Sequence, residues 1–358
     1  MLDIALHSVS ARSLRGVEAH FERSTHTAIV GPPAAGASTL LGVLAGTVRP
    51  KSGSVVIGSR DVTAVKASRR PLLHVTAHLD VPDRWSVQHA LVAAVRQRTL
   101  DRVDRQREYD LAVVRWRLSG ITDRNIGTLS SSERTLVQLA RIELLHPGIV
   151  VADRLLERLN PSTLVWAADQ LYRVFRVIGA TVISAPASRL ELGFADNVLV
   201  LEDGAIVQRG RPAEVFARPV SEAAAAAIGE INAIPIAVRG NQAESVMGAW
   251  EVAQPPFQGN GLALARPEDF HVAAAGEDSD LIFSVEEASF AGGGWLATGL
   301  LTGGIRLRVA LPLSVAVSKG KLLALRYDAS RFVLIASQSA APASFPPTDV
   351  VPPLRETR

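Results

Sequence analysis

The sequence contains no cysteine, which removes disulfide frameworks and thiolate metal sites from consideration. Lysine is nearly as scarce: Lys51, Lys66, Lys319 and Lys321 are the only four among 38 basic residues. No stretch approaches the roughly 20 apolar residues that span a bilayer. The greasiest, AAAAAIGEINAIPIAV, is cut by Glu230 and broken by Pro235. The eight histidines include no HExxH motif. MLDIALHSVS lacks the basic start and apolar run of a secretory signal, so a cytoplasmic location is expected, with any membrane role arising through a partner. A net charge of +3 over 358 residues argues against nucleic acid as the main partner.

What is present is globular composition, 47% hydrophobic and 20% charged, in a chain long enough for two cores. HTAIV (His26 to Val30) reads as a strand, GPPAAGAST (Gly31 to Thr39) as a glycine loop, and TLLGVLAG as a helix. In that arrangement a helix N-terminus offers free backbone N–H groups to an anion. SGSVVIG reads as a further strand. A long helical region from about Ser86 to Leu118 follows, then LSSSERTLVQLARIELL, a buried strand GIVVAD, another helix, and strands ATVIS and NVLVLEDG. This alternation predicts an α/β domain over residues 1–231 with a mainly parallel, helix-covered sheet. Residues 232–339 change to short strands separated by glycine turns, which predicts a small all-β barrel. Residues 340–358 are proline-rich and read as a disordered tail. SRLELGF reads as a solvated connection.

The loop GPPAAGAST alone is weak evidence, because glycine and alanine before a helix often make a plain turn. Its weight comes from the ordered series LSSSERTLVQLAR, GIVVAD and VLVLEDGAIVQRGRPAEVFARP at suitable distances downstream. Together these resemble the ATP-binding subunit of an ABC importer, of the group with maltose, polyamine, sulfate and ferric-iron uptake ATPases. AIGEIN and ARPED (Ala265 to Asp269) resemble the entry to, and a marker within, that group's C-terminal TOBE-type barrel. The resemblance implies a P-loop NTPase fold followed by an OB-like barrel. It further implies ATP and Mg²⁺ as cofactors, membrane permease subunits as partners, and indirect service to an extracellular substrate-binding protein.

The resemblance places nucleotide contacts at Gly31, Gly36, Ala37, Ser38, Thr39 and Asp153, with Ser38 and Asp153 on the metal. A phosphate loop GxxxxGK[ST] needs a lysine to meet the β/γ charge, and here that position is Ala37. Losing one charge-assisted contact of roughly 1.5–3 kcal/mol weakens binding about ten- to a hundredfold. The residue after Asp153, a glutamate base in the family, is Arg154, which is always protonated. Losing a general base costs a factor of about 10² to 10⁴. Ala187 occupies the switch-histidine position, and no histidine occurs between His146 and His271. The permease-coupling glutamine aligns with Ala77, or with His78 after a one-residue shift, and Trp85 lies where the family receives a helix of the membrane subunit. Phe21, the only aromatic ahead of the loop, reads as a strand residue. The signature segment is Leu129, Ser130, Ser131, Ser132 and Glu133. Ser130-x-x-Glu133 is a capping box in its own right; completion of a partner's site remains the alternative.

Three functions follow. The expected one is a pseudo-ATPase subunit pairing with a second, conventional ATPase chain on a permease. The others are an active homodimeric transport ATPase with atypical motifs, and a regulatory or ligand-sensing protein that works through its barrel.

Overall fold

The computed structural model describes residues 3–274 and 277–336; the proline-rich tail expected at 340–358 lies outside the described residues. The chain divides into two compact units, Met1–Phe216 and Ala217–Arg358. Among the described residues no helix is long and apolar enough to cross a membrane.

The first unit runs β1 (Ile4–Ala11), β2 (Leu14–Phe21), β3 (His26–Val30), α1 (Ala37–Ala45), β4 (Ser52–Ile57), β5 (Arg60–Asp61), β6 (Leu73–Thr76), α2 (Val87–Val95), α3 (Arg102–Arg115), α4 (Ser131–Leu145), β7 (Ile149–Asp153), α5 (Pro161–Ile178), β8 (Thr181–Ala185), β9 (Asn197–Glu202) and β10 (Ala205–Gly210). Six strands form one sheet in the order β10-β9-β3-β8-β7-β6. Its strands are parallel except for the β9–β10 hairpin. β3 and β8 are buried at every residue, as a parallel sheet covered on both faces requires. Along β7 the side chains alternate. Ile149 and Val151 join a core with α1 and the N-terminal strands, whereas Val150 and Ala152 join a core with α2, α3, α4 and α5. A separate four-stranded antiparallel sheet, β2-β1-β4-β5, covers the first of these cores. Phe21 ends β2 in that core, fully buried, and is a strand residue as expected.

Two local expectations change. The helical region expected over 86–118 is two helices, because Asp101 accepts a hydrogen bond from the Asp104 amide at 2.8 Å and starts α3 afresh. SRLELGF is not solvated throughout: Ser188 and Glu191 form a capping box on a short 3₁₀ turn, Arg189–Phe194, and Glu191 is only 3% exposed.

After α6 (Pro212–Ala217), the second unit holds α7 (Glu222–Ile228), β11 (Asn232–Arg239), β12 (Gln242–Ser245), β13 (Gly248–Glu251), β14 (Gly259–Ala265), β15 (Phe270–Val272), β16 (Leu281–Phe290), β17 (Gly294–Leu301), β18 (Arg306–Pro312), β19 (Leu322–Tyr327) and β20 (Val333–Ala336). Two five-stranded antiparallel sheets, β13-β12-β11-β14-β20 and β15-β19-β16-β17-β18, share one apolar core. The division between units falls ahead of the 231/232 boundary expected from sequence. α7 groups with the strands, since the Arg266 guanidinium donates to the carbonyls of Ala225 at 3.1 Å and Glu230 at 2.9 Å. Arg266-Pro267-Glu268-Asp269 is a turn, closed by the Arg266 amide on the Asp269 carboxylate at 2.6 Å.

Candidate nucleotide site

β3 ends at Val30 and α1 begins at Ala37, so residues 31–36 form the loop that turns the chain from sheet to helix. Close approach fixes its first glycine: a Cβ on Gly31 would lie 2.2 Å from the Leu201 carbonyl oxygen of β9. Gly36, at φ +114°, precedes α1 without a side-chain cap, leaving the first-turn amides free of a local acceptor. Ala34 takes φ +68°, a conformation that costs an alanine more than a glycine. Ala37, Ser38 and Thr39 form the first turn of α1.

The Ser38 hydroxyl donates to Asp153 Oδ1 at 3.1 Å, joining the helix start to the end of β7. Two hard oxygen donors beside a helix N-terminus suit Mg²⁺, which takes few protein ligands and keeps waters and phosphates. The expected metal pair is therefore together. Arg154, next in the chain, has φ +49° and donates its amide to the Ala185 carbonyl at 2.9 Å. Its guanidinium Nε lies 2.9 Å from Glu157 Oε2. The Glu157 carboxylate is thus already in an ion pair.

Ala187 stands two residues after β8, its amide bound by Glu191 Oε1 at 2.8 Å. Burial holds the Glu191 carboxyl above the usual range, against the lowering effect of the amides of Ala187 and Ser188. Ala77 is buried just beyond β6, and His78 is exposed, with its amide on Thr76 Oγ1 at 3.1 Å. Trp85 is half-buried: its ring stacks on His89 at 4.3 Å and packs on the helical core. Leu129 is buried, and Ser130 caps α4. The Glu133 amide donates to Ser130 Oγ at 3.2 Å, and the Ser130 amide to Glu133 Oε2 at 2.7 Å. Arg124 pairs with the other Glu133 oxygen at 3.0 Å. These hydrogen bonds from Ser130, with the Arg124 charge, hold the Glu133 carboxyl below its ordinary range. Ser131 is exposed, and Ser132 donates to the Arg158 carbonyl at 3.1 Å. Among the described residues no hydrogen bond or ion pair joins Leu129–Glu133 to residues 31–39.

Two contacts were not anticipated from sequence. The Arg12-Ser13 turn between β1 and β2 and the Asp203-Gly204 turn between β9 and β10 meet beside the loop: a Cβ on Gly204 would lie 1.8 Å from the Ser13 carbonyl oxygen. At the far end of β3 from the loop His26 is buried, with Nε2 2.7 Å from Ser184 Oγ and its ring stacked on Tyr172 at 4.5 Å. Burial holds its pKa down at about 4. A buried histidine on an apolar strand is the only sequence trace of that cluster, and nothing local ties residues 12–15 to the loop.

A mostly parallel sheet with a glycine loop entering a helix, and a carboxylate at the end of a neighbouring strand, defines a P-loop nucleotide-binding fold. The ABC transporter family model matches residues 14–155. The chain is 29% identical over 309 residues to the Fe(3+) ions import ATP-binding protein FbpC of Streptomyces coelicolor, spanning 86% of this chain and 88% of that one. It is 25% identical over 330 residues to the sn-glycerol-3-phosphate import ATP-binding protein UgpC of Cereibacter sphaeroides, spanning 91% and 94%. Among solved structures, cbiO1 of Clostridium perfringens, part of the ABC transporter complex cbiONQ, matches with TM-score 0.51 and 22% identity over 60% of this chain and 90% of that one. The bacterial ABC transporter cassette MJ0796 matches with TM-score 0.52 and 17% identity over 58% and 98%. Both likenesses show the fold. Residues 14–155 thus resemble the ATP-binding domain of the ABC transporter family, and an all-β unit follows.

Proposed function

We propose that this chain is the cytoplasmic ATP-binding-type subunit of an ABC import transporter, that its own site hydrolyses ATP at most very slowly, and that it pairs with a conventional ATPase chain on a membrane permease. The likeness to import ATP-binding proteins along most of the chain supports the import role. The single observation that carries the reduced activity is Arg154, a permanent cation in the base position, paired with Glu157.

The loop adds to this, since Ala37 brings no charge to a bound phosphate and Pro33 no N–H. Ser38 and Asp153 keep the donors that would hold Mg²⁺, which when bound would neutralise phosphate charge. Nucleotide binding is therefore weakened more mildly than hydrolysis. Ser130 and Glu133 cap each other's amides at the α4 start, which favours the capping role over reception of a partner's phosphate. Trp85, Ala77 and His78 remain the candidate permease-facing residues.

Co-expression with a permease and a conventional ATPase chain tests the pairing. Purified complexes should contain one copy of this chain and one of the ATPase. A hydrolysing transporter holding two copies of this chain and no other ATPase would refute the proposal.

A further inference from the structure

Helix α3 is anchored mainly at its C-terminal end, where Ala112 and Val113 are its fully buried side chains. Its earlier turns are held by half-buried Tyr109, by the Arg98–Glu108 ion pair at 3.2 Å and by the Arg105 guanidinium on the Leu100 carbonyl at 2.6 Å. Another face of the helix is apolar where solvent would call for polar side chains: Val103 is 76% exposed, Leu111 49% and Val114 70%. A groove of about 570 Å³ runs along it, lined by Arg102, Val103, Gln106, Arg107, Asp110 and Leu111. Among the described residues neither Arg102 nor Arg107 pairs with a carboxylate, and Asp110 accepts from the Gln106 side-chain amide at 3.0 Å without meeting an arginine. None of the residues assigned above to nucleotide, metal, signature or permease contact lies on α3.

Residues four apart stand in a row along a helix. One row on this face reads Arg102, Gln106, Asp110, running from positive to negative, and the adjacent row reads Val103, Arg107, Leu111. Two copies of the helix facing each other across a twofold axis run antiparallel, so each row meets the same row reversed. Arg102 of each copy then meets Asp110 of the other, and Val103 meets Leu111, with Gln106 and Arg107 at the axis. The charged row and the apolar row close on themselves in registers that differ by one residue. We propose that this face of α3 is a self-association surface whose partner is α3 of a second copy of this chain. An anionic lipid surface fits less well, because the Asp110 carboxylate lies in the middle of the stripe. The contact spans about three helical turns, well short of a standard interface, and gives a dissociation constant on the order of 100 µM. The two Arg107 guanidinium groups approach each other at the axis, and that like-charge contact limits the affinity. The pairing does not depend on the transporter role. Within that role it joins two assemblies and leaves one copy of this chain per conventional ATPase chain in each.

The test is analytical ultracentrifugation of the full chain over a concentration series reaching about five times that dissociation constant. Wild type should pass from monomer to dimer. Arg102→Asp sets two carboxylates against Asp110 of the other copy, and Asp110→Arg sets two guanidinium groups against Arg102; each alone should weaken pairing at least about tenfold. A mixture of the two variants restores both ion pairs with reversed sign and should pair within about threefold of wild type. Arg107→Gln removes the repulsion at the axis and should pair more tightly, Leu111→Ser less tightly, and Arg60→Asp on the exposed β5 as wild type does. All five substituted positions are exposed, and circular dichroism checks that each variant is folded. Wild type that stays monomeric, single charge reversals that pair as wild type, a mixture that fails to recover, or an equal loss in Arg60→Asp would each overturn the proposal. Monomeric wild type that sediments with phosphatidylglycerol vesicles, or whose co-purification with a permease is lost in Leu111→Ser, would give the face to the membrane or to the permease and overturn self-pairing as well. The ratio of this chain to a conventional ATPase chain in purified assemblies is read separately, so failure of the α3 contact is distinguishable from failure of the transporter role.

Discussion

The Arg154 guanidinium lies 2.9 Å from the Glu157 carboxylate, immediately after the strand whose last residue, Asp153, accepts the Ser38 hydroxyl. The two oxygen donors expected to hold Mg²⁺ thus stand beside a cation that cannot take a proton. Restoring the missing chemistry should restore turnover. Ala37→Lys with Arg154→Glu is expected to release phosphate from Mg-ATP at least tenfold faster than wild type, and each single change less. A double variant no faster than wild type would show that the remaining altered positions dominate.

The capping box at α4 makes a stability prediction. Ser130→Ala removes the acceptor for the Glu133 amide and should cost about 1 kcal/mol in urea unfolding. Glu133→Gln keeps an acceptor for the Ser130 amide but loses the Arg124 ion pair, and should cost less. Equal and negligible losses would count against the cap as the reason this helix begins where it does.

His26 gives the first unit a pH dependence of known sign. Its folded pKa of about 4 lies below the ordinary value of 6.5. Between those values the unfolded chain binds the extra proton, so stability falls as pH falls. From neutral pH to pH 5 the loss attributable to His26 is about 2 kcal/mol. His26→Phe keeps a ring against Tyr172 and should flatten that part of the profile; denaturation of both proteins at pH 7 and pH 5 measures the difference. Glu191, held above its ordinary range, contributes in the opposite direction and is common to both.

Gly204 cannot gain a side chain cheaply. It sits at φ +80° with its Cβ position 1.8 Å from the Ser13 carbonyl. Gly204→Ala should destabilise by about 1–3 kcal/mol, visible as a lower melting temperature, because the two turns must separate. An unchanged melting temperature would mean the turns do not hold each other.

Local pattern carried much of this site. The run HTAIV into a glycine loop, and GIVVAD ending in Asp153, are strand and turn signals within a few residues, and the structure brings Ser38 and Asp153 together as the family resemblance implied. Ser130-x-x-Glu133 was legible for the same reason, a cap being a contact between near neighbours. The Asp203-Gly204 turn was legible too, but its approach to the Arg12-Ser13 turn was not, since the two hairpin turns are separated by most of the first unit and meet only through tertiary packing. The hairpin β1–β2 was likewise hidden, its pairing interrupted by register shifts between Leu6 and Val9 and again before Ala11. Glu191 read as solvated because charge is the local cue, while its burial comes from packing of the 3₁₀ turn on α5.

The most direct measurement is phosphate release from Mg-ATP by the purified chain, alone and assembled with a permease and a conventional ATPase chain. The account predicts at most very slow release by the chain alone, and faster release by the assembly that disappears when the partner's site is inactivated but survives Asp153→Ala in this chain. Steady turnover by the chain alone, abolished by Asp153→Ala, would contradict it.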